Sequence, residues 1–176
     1  MKKGLTNNYI KHLGEILLGK HFLGVFSCDL LTDALQSILK TVHHHSNVSI
    51  VINILPTSYQ FGHFVALDIN WKNHSYILFD SLNLEFEDKN IQDFLHHLQQ
   101  QSFNLKGIHP QAQIQNLKSQ FCGFFSICFL LSRDCRVGES LESFISRFDT
   151  NKPSMYNDKV VIDYIVKFID TIGIAE

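Results

Sequence analysis

Gln115-Asn-Leu-Lys-Ser-Gln-Phe-Cys122-Gly-Phe-Phe-Ser-Ile-Cys-Phe-Leu-Leu-Ser132 is the stretch on which the reading of this chain turns. From Cys122 onward it is hydrophobic all round, the pattern of a helix buried on every side. A cysteine at such a helix start lies where backbone N–H groups stabilise a thiolate. Gly123 removes a side chain at that point, which lets a substrate backbone approach closely. Seven residues before the cysteine, the Gln115 side-chain amide is placed to donate to a developing oxyanion together with the Cys122 backbone N–H. Taken alone, a cysteine in an apolar helix reads more simply as a small core residue, and for mid-helix Cys128 that reading stands.

Working upstream, residues 47–55, 63–70 and 75–81 are short, β-branched and aromatic, and they read as strands. A two- or four-residue loop centred on Trp71 and Lys72 would pair Asn70 with Asn73, Leu67 with Tyr76 and Val65 with Leu78. His63 would then lie directly opposite Asp80, at a Cβ separation of about 4.5–5.5 Å. A carboxylate at that distance fixes the tautomer of the imidazole and stabilises the imidazolium, as a general base beside a nucleophile requires. A loop longer or shorter by one residue would put the two groups on a diagonal.

Helical spacing marks residues 9–18 through Tyr9, Leu13, Ile16 and Leu17, and residues 32–42 through Leu35, Ile38, Leu39 and Val42. Asp88 is placed to cap a helix with Ile91, Phe94, Leu95 and Leu98 inward. A further strand is expected at 111–115, and helices near 139–148 and 157–172, the last with Val161, Ile165, Phe168 and Ile172 as its inner stripe. The fold class is α+β, a central mixed sheet flanked by helices. With 176 residues and no Pro/Gly/Ser-rich linker, one domain over 1–176 is expected.

A net charge of −2 and a pI near 6.5 speak against a broad basic face for nucleic acid. Four cysteines, irregularly placed, are too sparse for a disulfide framework, and the first residues lack the apolar core and cleavage site of a signal peptide. No apolar run approaches the ~18 residues of a membrane span. An intracellular or intravirion chain, not a secreted one, is expected.

The order His, acid, Gln, Cys at a helix start is shared with a known group. Gly-His-Phe at 62–64, Leu-Phe-Asp-Ser at 78–81, His-Phe-Leu-Gly-Val-Phe at 21–26 and above all the Gln-x₆-Cys-Gly element resemble the adenovirus maturation protease family, including the related proteases of virophages and Polinton-type mobile elements. SUMO-specific proteases are similar more distantly. The resemblance spans about residues 9–170 and implies a papain-like cysteine protease fold with the nucleophile last in chain order. It implies Cys122 as nucleophile, His63 as base, Asp80 as orienting acid and Gln115 as oxyanion donor, with Gly62, Phe64 and Gly123 as their groove neighbours. Adenoviral members commonly carry Glu where Asp80 stands and Trp where Phe64 stands; either carboxylate can orient His63, and Phe64 would keep an aromatic wall.

The implied activity is that of a cysteine endopeptidase processing viral capsid and core precursors at small-residue, Gly-containing sites. A deubiquitinase or SUMO-type isopeptidase acting on host conjugates is the alternative, and a binding or capsid protein with a dead site is the reading outside the enzymes. Viral assembly sites in host nucleus or cytoplasm and the virion interior are the implied locations, with a monomer as the working unit. Adenoviral enzymes are activated by a disulfide-linked peptide and by DNA. No cysteine lies between Cys28 and Cys122, so that disulfide has no matching position, and the weakly acidic charge speaks against DNA. A peptide activator held in some other way stays open, and no cofactor is expected.

His43, His44 and His45 are consecutive and cannot all face one ion from a regular element, so they read as a solvated loop, and His96 and His97 as an exposed helix face. No metal is expected. Trp71 reads equally as a packed turn residue or a partner anchor, and Cys28 and Cys135 as plain thiols.

Overall fold

A computed structural model describes residues 5–42, 44–59, 61–84, 88–101 and 104–172. Helix α1 (Asn7–Leu18) is capped by Thr6, whose hydroxyl accepts from the Tyr9 amide at 3.2 Å. It leads through a 3₁₀ turn into strand β1 (Phe22–Ser27), and helix α2 (Leu31–Leu39) follows. The β-branched run becomes β2 (Asn47–Asn53), and the two strands after it are β3 (Phe64–Asn70) and β4 (Ser75–Phe79). Asp88 caps α3 (Lys89–Gln101) as its position predicts, accepting from the amides of Asn90 and Ile91. A three-residue β5 (Lys106–Ile108), then α4 (Cys122–Arg133), α5 (Leu141–Ile145) and α6 (Tyr156–Ile172) complete the order.

The sheet runs β1-β2-β3-β4-β5, antiparallel from β2 to β4 and parallel at both edges, so it is mixed. Because successive strand residues point to opposite faces, each strand feeds two cores. Val51, Phe64, Ala66, Ile77 and Phe79 face α1, α4, α5 and α6; Val48, Ile50, Ile52, Val65, Leu67, Ile69 and Leu78 face α2 and α3. Helix α4 lies at the centre of the first core, with every residue but Phe124 and Arg133 buried. Phe79 stacks on Phe129 with centroids 4.5 Å apart, a geometry that adds about 0.5–1.5 kcal/mol to the area it buries.

Three expectations change. The β3–β4 loop spans residues 71–74, so Asn70 pairs with Ser75, Leu67 with Leu78 and Ala66 with Phe79. The register thus differs by two from the one the sequence suggested. An even shift keeps every side chain on its face, so His63 and Asp80 still share one, on a diagonal beyond the ends of the ladder. Residues 111–115 form no strand: their polar groups are taken up locally, and the amides of Ile114 and Gln115 both donate to the Ser81 carbonyl at 2.9 Å. The inner face of α1 is Ile10, Gly14, Leu17 and Leu18, while Tyr9 and Ile16 are 51% and 48% exposed. Trp71 is a packed turn residue, its indole N–H donating to Thr41 Oγ1 at 3.2 Å.

Candidate active site

His63 sits immediately before β3 and Asp80 immediately after β4, both at the end of the sheet toward which the N-terminus of α4 points. The His63 Nε2 to Asp80 Oδ1 distance is 2.5 Å, with the two side chains only 11% and 6% exposed. Asp80 is held in turn by backbone: the Leu82 amide donates to Oδ1 at 2.9 Å and the Leu84 amide to Oδ2 at 2.8 Å. With Nε2 occupied, Nδ1 is the ring nitrogen left for Cys122, whose thiol also interacts with His63 and donates to the Gly62 carbonyl at 3.8 Å. Burial is the largest influence on the imidazole and pulls its pKa down. Hydrogen bonds to Asp80 and Cys122, with the charges of both, outweigh it and lift the pKa to about 9.

Cys122 opens α4, and no side chain caps that helix. Its first amides therefore remain for an incoming group. Gln115 is almost fully buried and its orientation is fixed from both ends. The Ser81 hydroxyl donates to Oε1 at 2.6 Å, and Nε2 donates to the Ser119 carbonyl at 3.0 Å. One amide hydrogen is thereby used and the second remains free to donate. All four residues singled out in the sequence are thus gathered around one end of α4.

The neighbours differ from what the sequence suggested. A Cβ on Gly123 would lie 2.4 Å from Ile10 Cδ1, so that glycine is also a close-packing position between α1 and α4. Phe64 is 1% exposed, part of the core beneath the site, and so forms no open wall; its carbonyl accepts from the buried Ser126 hydroxyl at 3.1 Å. A Cβ on Gly62 would lie 2.0 Å from Asn53 Oδ1, which makes Gly62 a close-approach position beside Cys122. Asn53 is itself buried and donates to Asn7 Oδ1 at 2.8 Å.

Ser81, Ser119 and Asn53 are the contributors that sequence reasoning missed. Only Ser81 carried a signal, as the neighbour of Asp80 in Leu-Phe-Asp-Ser. Among the described residues no group of three or more His, Cys, Asp or Glu side chains could hold a metal ion; His43 lies outside them, and His44, His96 and His97 are exposed. The described cysteines are all free: Cys28, Cys122 and Cys128 are buried and Cys135 is exposed.

No family model and no curated protein matches the chain. Solved structures do. The chain superposes on the ASFV pS273R protease with a TM-score of 0.63 at 16% identity, over 93% of this chain and 65% of that one. It superposes on the SUMO protease Ulp1 with a TM-score of 0.58 at 14% identity, over 96% and 77%. The central domain of the uncharacterized Lpg1148 protein from Legionella pneumophila gives 0.60 at 14%, over 96% and 99%. The chain therefore has the cysteine protease fold of Ulp1 and pS273R, and it spans about two thirds of the length of the latter.

Proposed function

We propose that this chain is a cysteine endopeptidase that processes viral capsid and core precursors at small-residue, Gly-containing sites. The observation that carries the reading is His63 lodged between the Asp80 carboxylate and the Cys122 thiol at an uncapped helix start. The proton shared between Cys122 and His63 rests on His63 as the Cys122 sulfur attacks the peptide carbonyl carbon. The tetrahedral oxyanion receives the Cys122 N–H and the free Gln115 amide hydrogen. His63 then gives its proton to the leaving nitrogen as the C–N bond breaks, and a thioester remains. Water, deprotonated by His63, attacks the thioester; collapse of the second intermediate breaks the C–S bond, releases the acid product and restores the Cys122–His63 pair.

Exposed apolar side chains next to each catalytic position support a polypeptide substrate. Phe61 precedes Gly62, Leu84 follows Asp80, and Leu117, 74% exposed, lies between Gln115 and Cys122. The viral setting rests on the Gln-x₆-Cys-Gly resemblance, and the ASFV protease is a viral enzyme of the same fold. Mixing the chain with the candidate precursors tests the reading: cleavage is expected, and a Cys122→Ala chain that still cleaves overturns it.

A SUMO-type or ubiquitin-type isopeptidase is the second reading, favoured by the match to a Ulp1 protease domain in complex with Smt3, at a TM-score of 0.53 and 13% identity over 95% of this chain. Labelling with SUMO and ubiquitin vinyl sulfones separates the two. Adduct formation at Cys122 favours the isopeptidase, and no adduct alongside precursor cleavage favours the maturation enzyme.

A further inference from the structure

The loop that carries Gln115 is gripped from the other side by the chain's C-terminal third. Asn157 is fully buried and its amide donates to the Ile114 carbonyl at 2.8 Å and to the Asp149 carbonyl at 3.0 Å. Asn116 donates to the Pro153 carbonyl at 2.9 Å. The third contact reaches closest to the chemistry. Ser119 donates its hydroxyl to Asp158 Oδ1 at 2.8 Å and accepts from the Phe121 amide at 3.2 Å, while its carbonyl accepts from Gln115 Nε2. Ser119 therefore touches both halves of the oxyanion site, the Gln115 amide and the backbone just before Cys122.

Asp158 is buried, and its second oxygen, Oδ2, has no hydrogen-bond partner among the described residues. A buried carboxylate with one oxygen unpaired is a local cost to the fold, and such costs are found where a side chain serves a site. We propose that Asp158 is a positioning residue for the oxyanion site: through Ser119 it sets the orientation of the Gln115 amide relative to Cys122. This rests on the protease reading for its consequence, since an oxyanion donor matters only where an acyl group is transferred. The direction of action is inward, from the first turn of α6 through Ser119 to Gln115, with no contact between Asp158 and substrate.

Two reactions of one sulfur test this on the full chain. Alkylation of Cys122 by iodoacetamide displaces iodide from a saturated carbon and develops no oxyanion. Acylation by 4-nitrophenyl acetate passes through one. Loss of a complete oxyanion donor lowers acyl transfer about 10²–10³-fold, so a donor left in place but poorly aimed is expected to lower it about tenfold. Asp158→Ala is thus expected to slow acylation about tenfold while alkylation stays within about twofold, and Asp158→Asn, which keeps an oxygen for the Ser119 hydroxyl, restores acylation. The Ser119→Ala, Asp158→Ala double variant is expected to lose no more than Ser119→Ala alone, because Asp158 acts only through Ser119.

Unchanged acylation in Asp158→Ala overturns the proposal, and so does an equal fall in both reactions, which marks a merely structural role. A wild-type chain that alkylates but never acylates sinks the protease reading and leaves the positioning claim to a second measurement. In ¹⁵N–¹H spectra the Gln115 side-chain amide, assigned by its loss in Gln115→Ala, is expected to shift and to exchange faster with water in Asp158→Ala. A resonance that does not move overturns the claim whether or not the wild type is active.

Discussion

Helix α4 meets a buried carboxylate near each end, and the two are treated differently. At its N-terminus, Asp80 accepts from two backbone amides and from His63, so its charge is matched on both oxygens. At its C-terminus, Asp68 of β3 has the Arg133 Nε at 3.5 Å, near the limit of a hydrogen bond. Burial pushes the Asp68 pKa up to about 6, against the opposing charge of Arg133. The guanidinium is itself better served elsewhere, donating from Nη1 to the Glu139 carbonyl at 2.6 Å. Backbone amides are fixed and cannot relax away, whereas a long side chain can choose another partner. One end of the helix is thus organised around a held charge, the other around a charge only loosely matched.

Substitutions at the two ends should therefore separate activity from stability. Cys122→Ala is expected to abolish turnover with the circular dichroism spectrum unchanged; any residual thiol-independent cleavage would break the comparison at its first step. Asp80→Asn is expected to lower kcat by about 10²–10⁴-fold, since the imidazole loses its tautomer control. Its effect on the unfolding midpoint should be small beside that on rate, and steady-state kinetics with thermal denaturation measure both. Gly62→Ala forces a Cβ into Asn53 and moves the backbone beside Cys122, so a fall in kcat of about tenfold or more with little change in KM is expected.

Asp68→Asn should do the opposite, leaving kcat within about twofold. Its folded-state pKa lies above the ordinary value of 3.8, so the stability this carboxyl contributes is present at low pH and lost as pH rises through about 6. The Asn variant should be more stable than wild type at pH 8 by up to about 3 kcal/mol and should converge with it below pH 4, as urea titrations at several pH values would show. His63 has the same sign in a different window. Raised from 6.5 to about 9, its contribution is whole below pH 6.5 and lost as pH climbs through 9, a slope that His63→Ala should remove. The smallest effect is on thiol access. At pH 7 Cys122 should alkylate faster than exposed Cys135, and Cys28 and Cys128, whose pKa values burial pushes up, should stay unlabelled until the chain unfolds.

The difference between the two ends also marks how far the sequence could be read. His63, Asp80, Gln115 and Cys122 were legible because their residue types are few, their order is distinctive and each lies beside a periodic element. The hairpin register was legible only to its parity: the pleat fixes which face a residue takes, while the 71–74 loop is tied by tertiary contacts, the Trp71 indole to Thr41 and its amide to the Ser46 carbonyl, that carry no local signal. The three residues of β5 are too few to show a period, and the Gln-rich segment after it bonds to itself and to Ser81 instead. On α1, a glycine carries no hydrophobic signal, yet Gly14 faces Phe22 and turns the buried stripe toward Ile10 and Leu18. Ser119, Asn157 and Asp158 are ordinary polar letters until the fold brings residues about 40 positions apart into contact.

Trp71, the chain's single tryptophan, has a practical use that follows from where it is packed. Its indole is 8% exposed, in the core on the α2 and α3 side and at the far end of the hairpin from His63 and Asp80. Its emission is therefore a built-in optical readout of the intact fold, separated by the sheet from anything bound to Cys122. Fluorescence that stays blue while the thiol is labelled, and moves red only in denaturant, would let folding and chemistry be followed in one cuvette without an added dye.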